Sequence, residues 1–350
     1  MIFTRGARIT GAVLCAALAV VTAVWIARDL METERPVDLW WFWAGQGDAG
    51  AAPPVTSLLD PVLLAVYVVV AVTVMRSAVA ASALFATGLL TFAVRLPGLW
   101  VLGSSWMDGR ASDELRTRAL LCAFGVLAVA VALIVTALAG RGAPDTAYAL
   151  TPTRPAQGVA VTSFLLLGAA AGIWAAWEVY WGQRLGLDAY LDRVTGESVL
   201  MPLLGTPPGW LNAAIVLLCL AAAVGALFGT PFSRPLGMVA AALLVGVGGA
   251  ALATALRYEQ LDRFGELTTV EQLSLASLLF GLGAGALALF ALARRGEEDM
   301  PGAGPYGPAW GQPEPERYGQ GGGGFGPDRY GQGGSGGFGP PPPSSPPPGW

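Results

Sequence analysis

The sequence contains no lysine and no histidine; all 20 of its basic residues are arginine. These absences remove chemistry. No Schiff base can form on a chain without lysine. A chain without histidine has no Ser-His-Asp triad, no imidazole metal ligand and no imidazole proton relay. Charge of either sign is scarce. Only 13% of the residues are charged, against roughly 25% in a soluble domain, while 54% are hydrophobic. Such an apolar excess has to face something other than water, and the lipid bilayer is the natural partner. Cysteine is limited to Cys15, Cys122 and Cys219, each inside an apolar run and none in a CxxC pair. These read as small buried hydrophobes. HExxH, GxSxG and P-loop patterns are also missing. The chain therefore reads as a non-enzyme with no catalytic residue, no metal and no cofactor. Its net charge of -4 argues against nucleic acid.

What is present is long apolar runs. A helix needs roughly 20 residues to cross a bilayer, and eight runs approach or reach that length: 10–27, 57–75, 78–102, 119–139, 158–177, 210–228, 236–256 and 273–293. The expected fold is an all-α membrane protein, a bundle of about eight transmembrane helices. Six of the runs hold no charge; the second has Asp60 near its start and the third contains Arg95. The third run either ends at Arg95 or continues through Pro97 to Trp100. The first run follows Arg5 and Arg8 but exceeds the usual signal-peptide core and lacks a small-x-small site, so a retained anchor is expected.

Arginine bias orients the spans. With the N-terminus in the cytoplasm, the inner segments hold Arg5, Arg8, Arg76, Arg141, Arg154, Arg234, Arg294 and Arg295. Before residue 296 they hold one acid, Asp145. Acids outnumber arginines in the first and last outer loops. The tryptophans agree: Trp25, Trp40, Trp41, Trp43, Trp100, Trp106, Trp174, Trp177, Trp181 and Trp210 all fall at or beyond an outer helix end in this arrangement. All but Trp106 are expected as outer interface anchors. The expected location is the cytoplasmic membrane, with both termini cytoplasmic.

The two halves resemble each other with a period near 150 residues. Trp25 and Asp29 correspond to Trp174 and Glu178. Each long outer loop ends in two prolines, Pro53-Pro54 or Pro207-Pro208. Arg76 matches Arg234, and Arg95 matches Arg257. Two tandem four-helix repeats account for this, as do generic alanine-rich helices that imitate one. Ionisable residues near hydrocarbon are costly, so Asp29, Asp60, Arg95, Glu178 and Arg257 form a candidate polar site at the outer leaflet. Structural ion pairs or outward snorkelling would also explain them. Trp40-Trp41-Phe42-Trp43 suits a segment lying on the outer surface. Leu185, Leu187, Tyr190, Leu191 and Val194 suggest a short amphipathic helix at the interface. Asp188, Asp192 and Glu197 carry oxygen donors, but their spacing matches no calcium loop.

After Arg295 the composition turns to Gly and Pro without apolar periodicity, which predicts a disordered tail. The segments 316–327 and 328–340 repeat an acid-Arg-Tyr-Gly-Gln motif followed by Phe-Gly-Pro, and two proline runs follow. Such a tail suits a cytoplasmic protein partner. The Ala/Val/Leu/Gly-rich body, arginine in place of lysine, and tail stretches such as Gly333 to Pro340 resemble the uncharacterised multi-pass membrane proteins of high-GC actinobacteria. This compositional resemblance implies the membrane of a Gram-positive-type cell and no functional residue. The reading that follows is a membrane scaffold or accessory subunit. A secondary transporter or channel for a small solute is the alternative. Oligomeric state is not legible.

Overall fold

The computed structural model describes residues 2–45, 54–109, 111–142, 157–197, 199 and 201–294. The Gly/Pro-rich tail, Asp48, Pro53, Asp145, Arg154 and Arg295 lie outside the described residues. The elements, in order, are β1 (Ile2–Phe3), α1 (Arg5–Glu32), α2 (Pro36–Trp43), α3 (Leu59–Thr73), α4 (Ala80–Arg95), α5 (Gly98–Gly103), α6 (Asp113–Ala139), β2 (Arg141–Gly142), α7 (Gln157–Leu185), α8 (Leu187–Thr195), α9 (Pro208–Leu227), α10 (Ser233–Arg257) and α11 (Thr269–Ala293). The two strands are a two-residue antiparallel clip that ties the N-terminus to the end of α6.

Among the described residues, seven stretches are long and apolar enough to cross a membrane: α1, α4 with α5, α6, α7, α9, α10 and α11. Their outward faces are aliphatic. Val20 of α1, Leu121 of α6 and Leu217 of α9 are each more than 60% exposed, as lipid contact requires. Of the eight expected spans, the second forms a shorter helix than the others. Helix α3 has 15 residues, which at ~1.5 Å per residue reach only about 22 Å. Its start is set by Asp60, which accepts hydrogen bonds from the Ser57 N–H at 2.7 Å and hydroxyl at 3.1 Å. Its far end is set by Arg8 of α1, whose Nη1 donates to the carbonyls of Val74 at 2.9 Å and Ser77 at 2.7 Å. The helix thus runs between the two ends of the bundle, although it is short.

The third run resolves into α4 and α5 with Pro97 between them. Proline has no N–H, so the Ala93 carbonyl loses its helical donor. The Trp210 indole N–H takes its place at 2.7 Å. The neighbouring Val94 carbonyl accepts from the Thr206 hydroxyl at 2.9 Å. The break is therefore built from both halves of the chain.

Packing follows one scheme twice. In residues 2–142, α1 packs on α3, α4 on α6, and α6 closes back on α1. In residues 157–294, α7 packs on α9, α10 on α11, and α11 closes back on α7. The two units meet where α4 and α3 touch α10 and where α4 touches α9. Glycine permits the closest helix pairs. A Cβ at Gly88 of α4 would sit 2.8 Å from the Ala130 carbonyl of α6, and one at Gly248 of α10 would sit 2.7 Å from the Leu278 carbonyl of α11.

Candidate functional site

The face that bears the N-terminus is here called proximal and the opposite one distal. The polar side chains singled out from the sequence all lie at the distal ends of the helices, in separate clusters. Asp60 and Arg95 form a buried ion pair, with side chains 1% and 11% exposed. One Asp60 oxygen takes Arg95 Nη2 and the other takes the Ser57 donors. Arg95 Nη1 donates to the Leu204 carbonyl at 2.9 Å. The Leu204 N–H in turn donates to the Val55 carbonyl at 2.9 Å. Below the pair, Tyr67 and Thr91 hydroxyls share a hydrogen bond of 2.9 Å, and Thr91 donates on to the Thr87 carbonyl at 2.8 Å.

Asp29, fully buried near the end of α1, does not join that pair. One of its oxygens pairs with Arg28 at 2.8 Å. The other accepts from the Val55 N–H at 2.9 Å, the Thr56 N–H at 2.7 Å and the Thr56 hydroxyl at 2.6 Å. The carboxylate thereby fastens the chain ahead of α3 to the end of α1. Trp43 donates to the same Thr56 hydroxyl at 3.1 Å, which draws α2 inward.

Glu178 has a parallel task in the second unit. It accepts from Arg193 at 2.7 Å, Asn212 at 2.7 Å and Tyr190 at 3.1 Å. These bonds hold α8 against α7 and α9. Burial, and then the bond to Glu178, push the Tyr190 phenol above its ordinary pKa. Helix α8 is the amphipathic segment the sequence suggested, with Leu187 and Leu191 exposed along it. Arg257 lies over the Trp41 ring, 4.1 Å from its centroid. The sequence-matched residues therefore do not make matched ion pairs. Arg95 meets a carboxylate and Arg257 an aromatic face.

The tryptophans divide by role. Trp43, Trp100, Trp177 and Trp210 donate their indole N–H to protein acceptors. Trp174 is buried against Gly281. Trp181 stacks on Trp177 and lies beneath Arg193. Trp40 is exposed, and Trp25 lines a cavity.

That cavity has a volume of about 30 Å³ and lies against Asp60 and Arg95, with Thr22, Cys122 and Leu204 also in its wall. A cavity of this size admits roughly one water molecule. Among the described residues, no three His, Cys, Asp or Glu side chains are grouped to hold a metal. The residues missed from the sequence are mostly polar groups inside apolar runs, Tyr67 and Thr91 foremost. Ser57 was recoverable, because Ser57-Leu58-Leu59-Asp60 has capping-box spacing ahead of an apolar run.

Helices of this length and surface define a multi-pass integral membrane protein. Comparison with protein-family models, with curated proteins and with solved structures returned no match.

Proposed function

We propose that this protein is a non-enzymatic membrane scaffold or accessory subunit whose Gly/Pro-rich tail meets a cytoplasmic protein. In this reading it has eight crossings built as two tandem four-helix repeats, with α3 the short crossing. The proximal face is cytoplasmic, where the arginines gather, and the tryptophan-rich distal face is external. One observation carries the functional reading. Four of the five candidate charges fasten neighbouring segments by hydrogen bonds, Asp60 to Ser57, Arg95 to Leu204, Asp29 to Val55 and Thr56, and Glu178 to α8 and Asn212, while the fifth, Arg257, lies over Trp41 of α2. Groups so engaged rigidify a bundle; a solute site needs acceptors and donors turned toward a path. Deleting residues 300–350 and comparing crosslinked partners tests this. The scaffold reading expects partners to be lost, and an unchanged partner set contradicts it.

The cavity beside Asp60 and Arg95 favours a second reading, a transporter or channel for a small solute. Its walls carry a carboxylate and a guanidinium, although its volume of about 30 Å³ fits little beyond water. Purified protein in liposomes decides between the two. Solute or ion flux above that of empty vesicles supports transport, and none supports the scaffold.

A further inference from the structure

We propose that the two four-helix units are held together by a reciprocal clasp at the distal face, in which each unit's first long loop engages the arginine ending the other unit's third helix. From the first unit, α2 carries Trp41 across to Arg257 at the end of α10, 4.1 Å from ring centroid to guanidinium carbon. From the second unit, the segment ahead of α9 brings the Leu204 carbonyl to Arg95 at the end of α4, 2.9 Å away. Arg95 and Arg257 are the two positions that the sequence period equates. The partners differ, yet each arginine receives the strap of the opposite unit.

Further bonds close the same face. The two straps join directly through the Leu204 N–H and the Val55 carbonyl. Trp100 donates to the Thr195 carbonyl at 3.0 Å, and Trp210 and Thr206 occupy the carbonyls around the Pro97 break. Among the described residues, every hydrogen bond between units lies at this end. At the proximal face, Arg8 reaches Val74 and Ser77, and Arg234 reaches Leu292 and Arg294, each bond within its own unit. Between the two faces the units only pack, as where Val62 of α3 fills the space over Gly246 of α10. Lipid supplies no hydrophobic drive for helices to associate, so directional bonds at one face count heavily in holding the units. The interaction surface is thus distal, and the partner each unit fits is the other.

The test uses the full chain with a protease sequence placed between residues 145 and 154, cut to completion after purification in mild detergent. One fragment carries an affinity tag, and the fraction of the other that washes away is measured. The cut protein is expected to stay together. The variant W100F/T206V/W210F keeps an apolar side chain at each position, with a phenyl ring smaller than indole at 100 and 210, and removes three bonds between units. It should raise the released fraction at least about tenfold. The variant Y67F removes a buried bond within the first unit and should leave release unchanged. Separation of the unsubstituted fragments on cutting overturns the clasp. Equal release from the triple variant and from Y67F, whether high or low, also overturns it.

Discussion

The Asp60–Arg95 pair offers the sharpest energetic test. Asp60 is buried, at 1% exposure, Arg95 is nearly so, at 11%, and each is also bonded to backbone on the far side. Removing either partner alone leaves the other charge without compensation, at a cost of about 3–5 kcal/mol. Asp60→Ala also deprives the Ser57 N–H and hydroxyl of their acceptor. Arg95→Met also deprives the Leu204 carbonyl of its donor. Each such loss adds about 1 kcal/mol. The double variant removes both charges, so only the backbone losses and some repacking remain, and it should be less destabilised than either single variant. The assay is unfolding of the purified protein by a harsh detergent titrated into a mild one, followed by tryptophan fluorescence and read as a double-mutant cycle. A coupling of at least ~3 kcal/mol is expected. Single-variant costs below ~1 kcal/mol, or additivity within about 0.5 kcal/mol, would show that the two charges do not compensate each other.

Three further outcomes are expected. Trp210→Phe should cost about 1 kcal/mol, because proline leaves the Ala93 carbonyl no other donor. The same change should be nearly silent beside Pro97→Ala, which restores the backbone N–H; equal costs in both backgrounds would contradict the account of the break. Gly248→Ala should cost about 1–3 kcal/mol by pressing α10 off α11. Its neighbour Gly249, where a Cβ meets nothing within 4 Å, should accept alanine within about 0.5 kcal/mol. Finally, hydrogen bonds from the Thr268 hydroxyl and N–H hold the Glu271 carboxyl below its ordinary pKa. A lowered folded value means the box stabilises α11 above the ordinary carboxylate range and is lost as pH falls through that lowered value. Amide exchange at the start of α11, corrected for intrinsic rates, should therefore quicken on acidification. Glu271→Gln, which keeps a capping-box side chain but cannot titrate, should flatten that dependence.

Much of the bundle was legible because hydrophobic runs register what lipid demands of each residue independently. The apolar centres of α1, α6, α7, α9, α10 and α11 lie where their uncharged runs lie. What escaped depends on more than one segment. The start of α3 is set locally by the Ser57–Asp60 bonds, but its far end is set from outside by Arg8, and an apolar run does not encode where its carbonyls find donors. Arg95 stood out as an unusual charge, but its partner is 35 positions away and its second acceptor 109 positions away, beyond any local pattern. The tryptophans at outer helix ends suggested lipid anchors. In the structure Trp43, Trp100, Trp177 and Trp210 also give their N–H groups to protein, because the same amphipathic ring that suits an interface also suits a freed carbonyl or hydroxyl beneath it. The sequence period pairs Asp29, near the end of α1, with Glu178, in the last third of α7. Their shared task of binding the following loop emerged only with the distances.

If α3, although short, crosses the membrane as proposed, eight helices alternate and the two packing units run parallel. Single cysteines at positions 38, 76, 231 and 260, in a background with Cys15, Cys122 and Cys219 replaced by serine or alanine, can be labelled in intact cells with a membrane-impermeant thiol reagent. The account predicts labelling at 38 and 260 from outside, and at 76 and 231 only after permeabilisation. Finding 38 and 76 on the same side would contradict it.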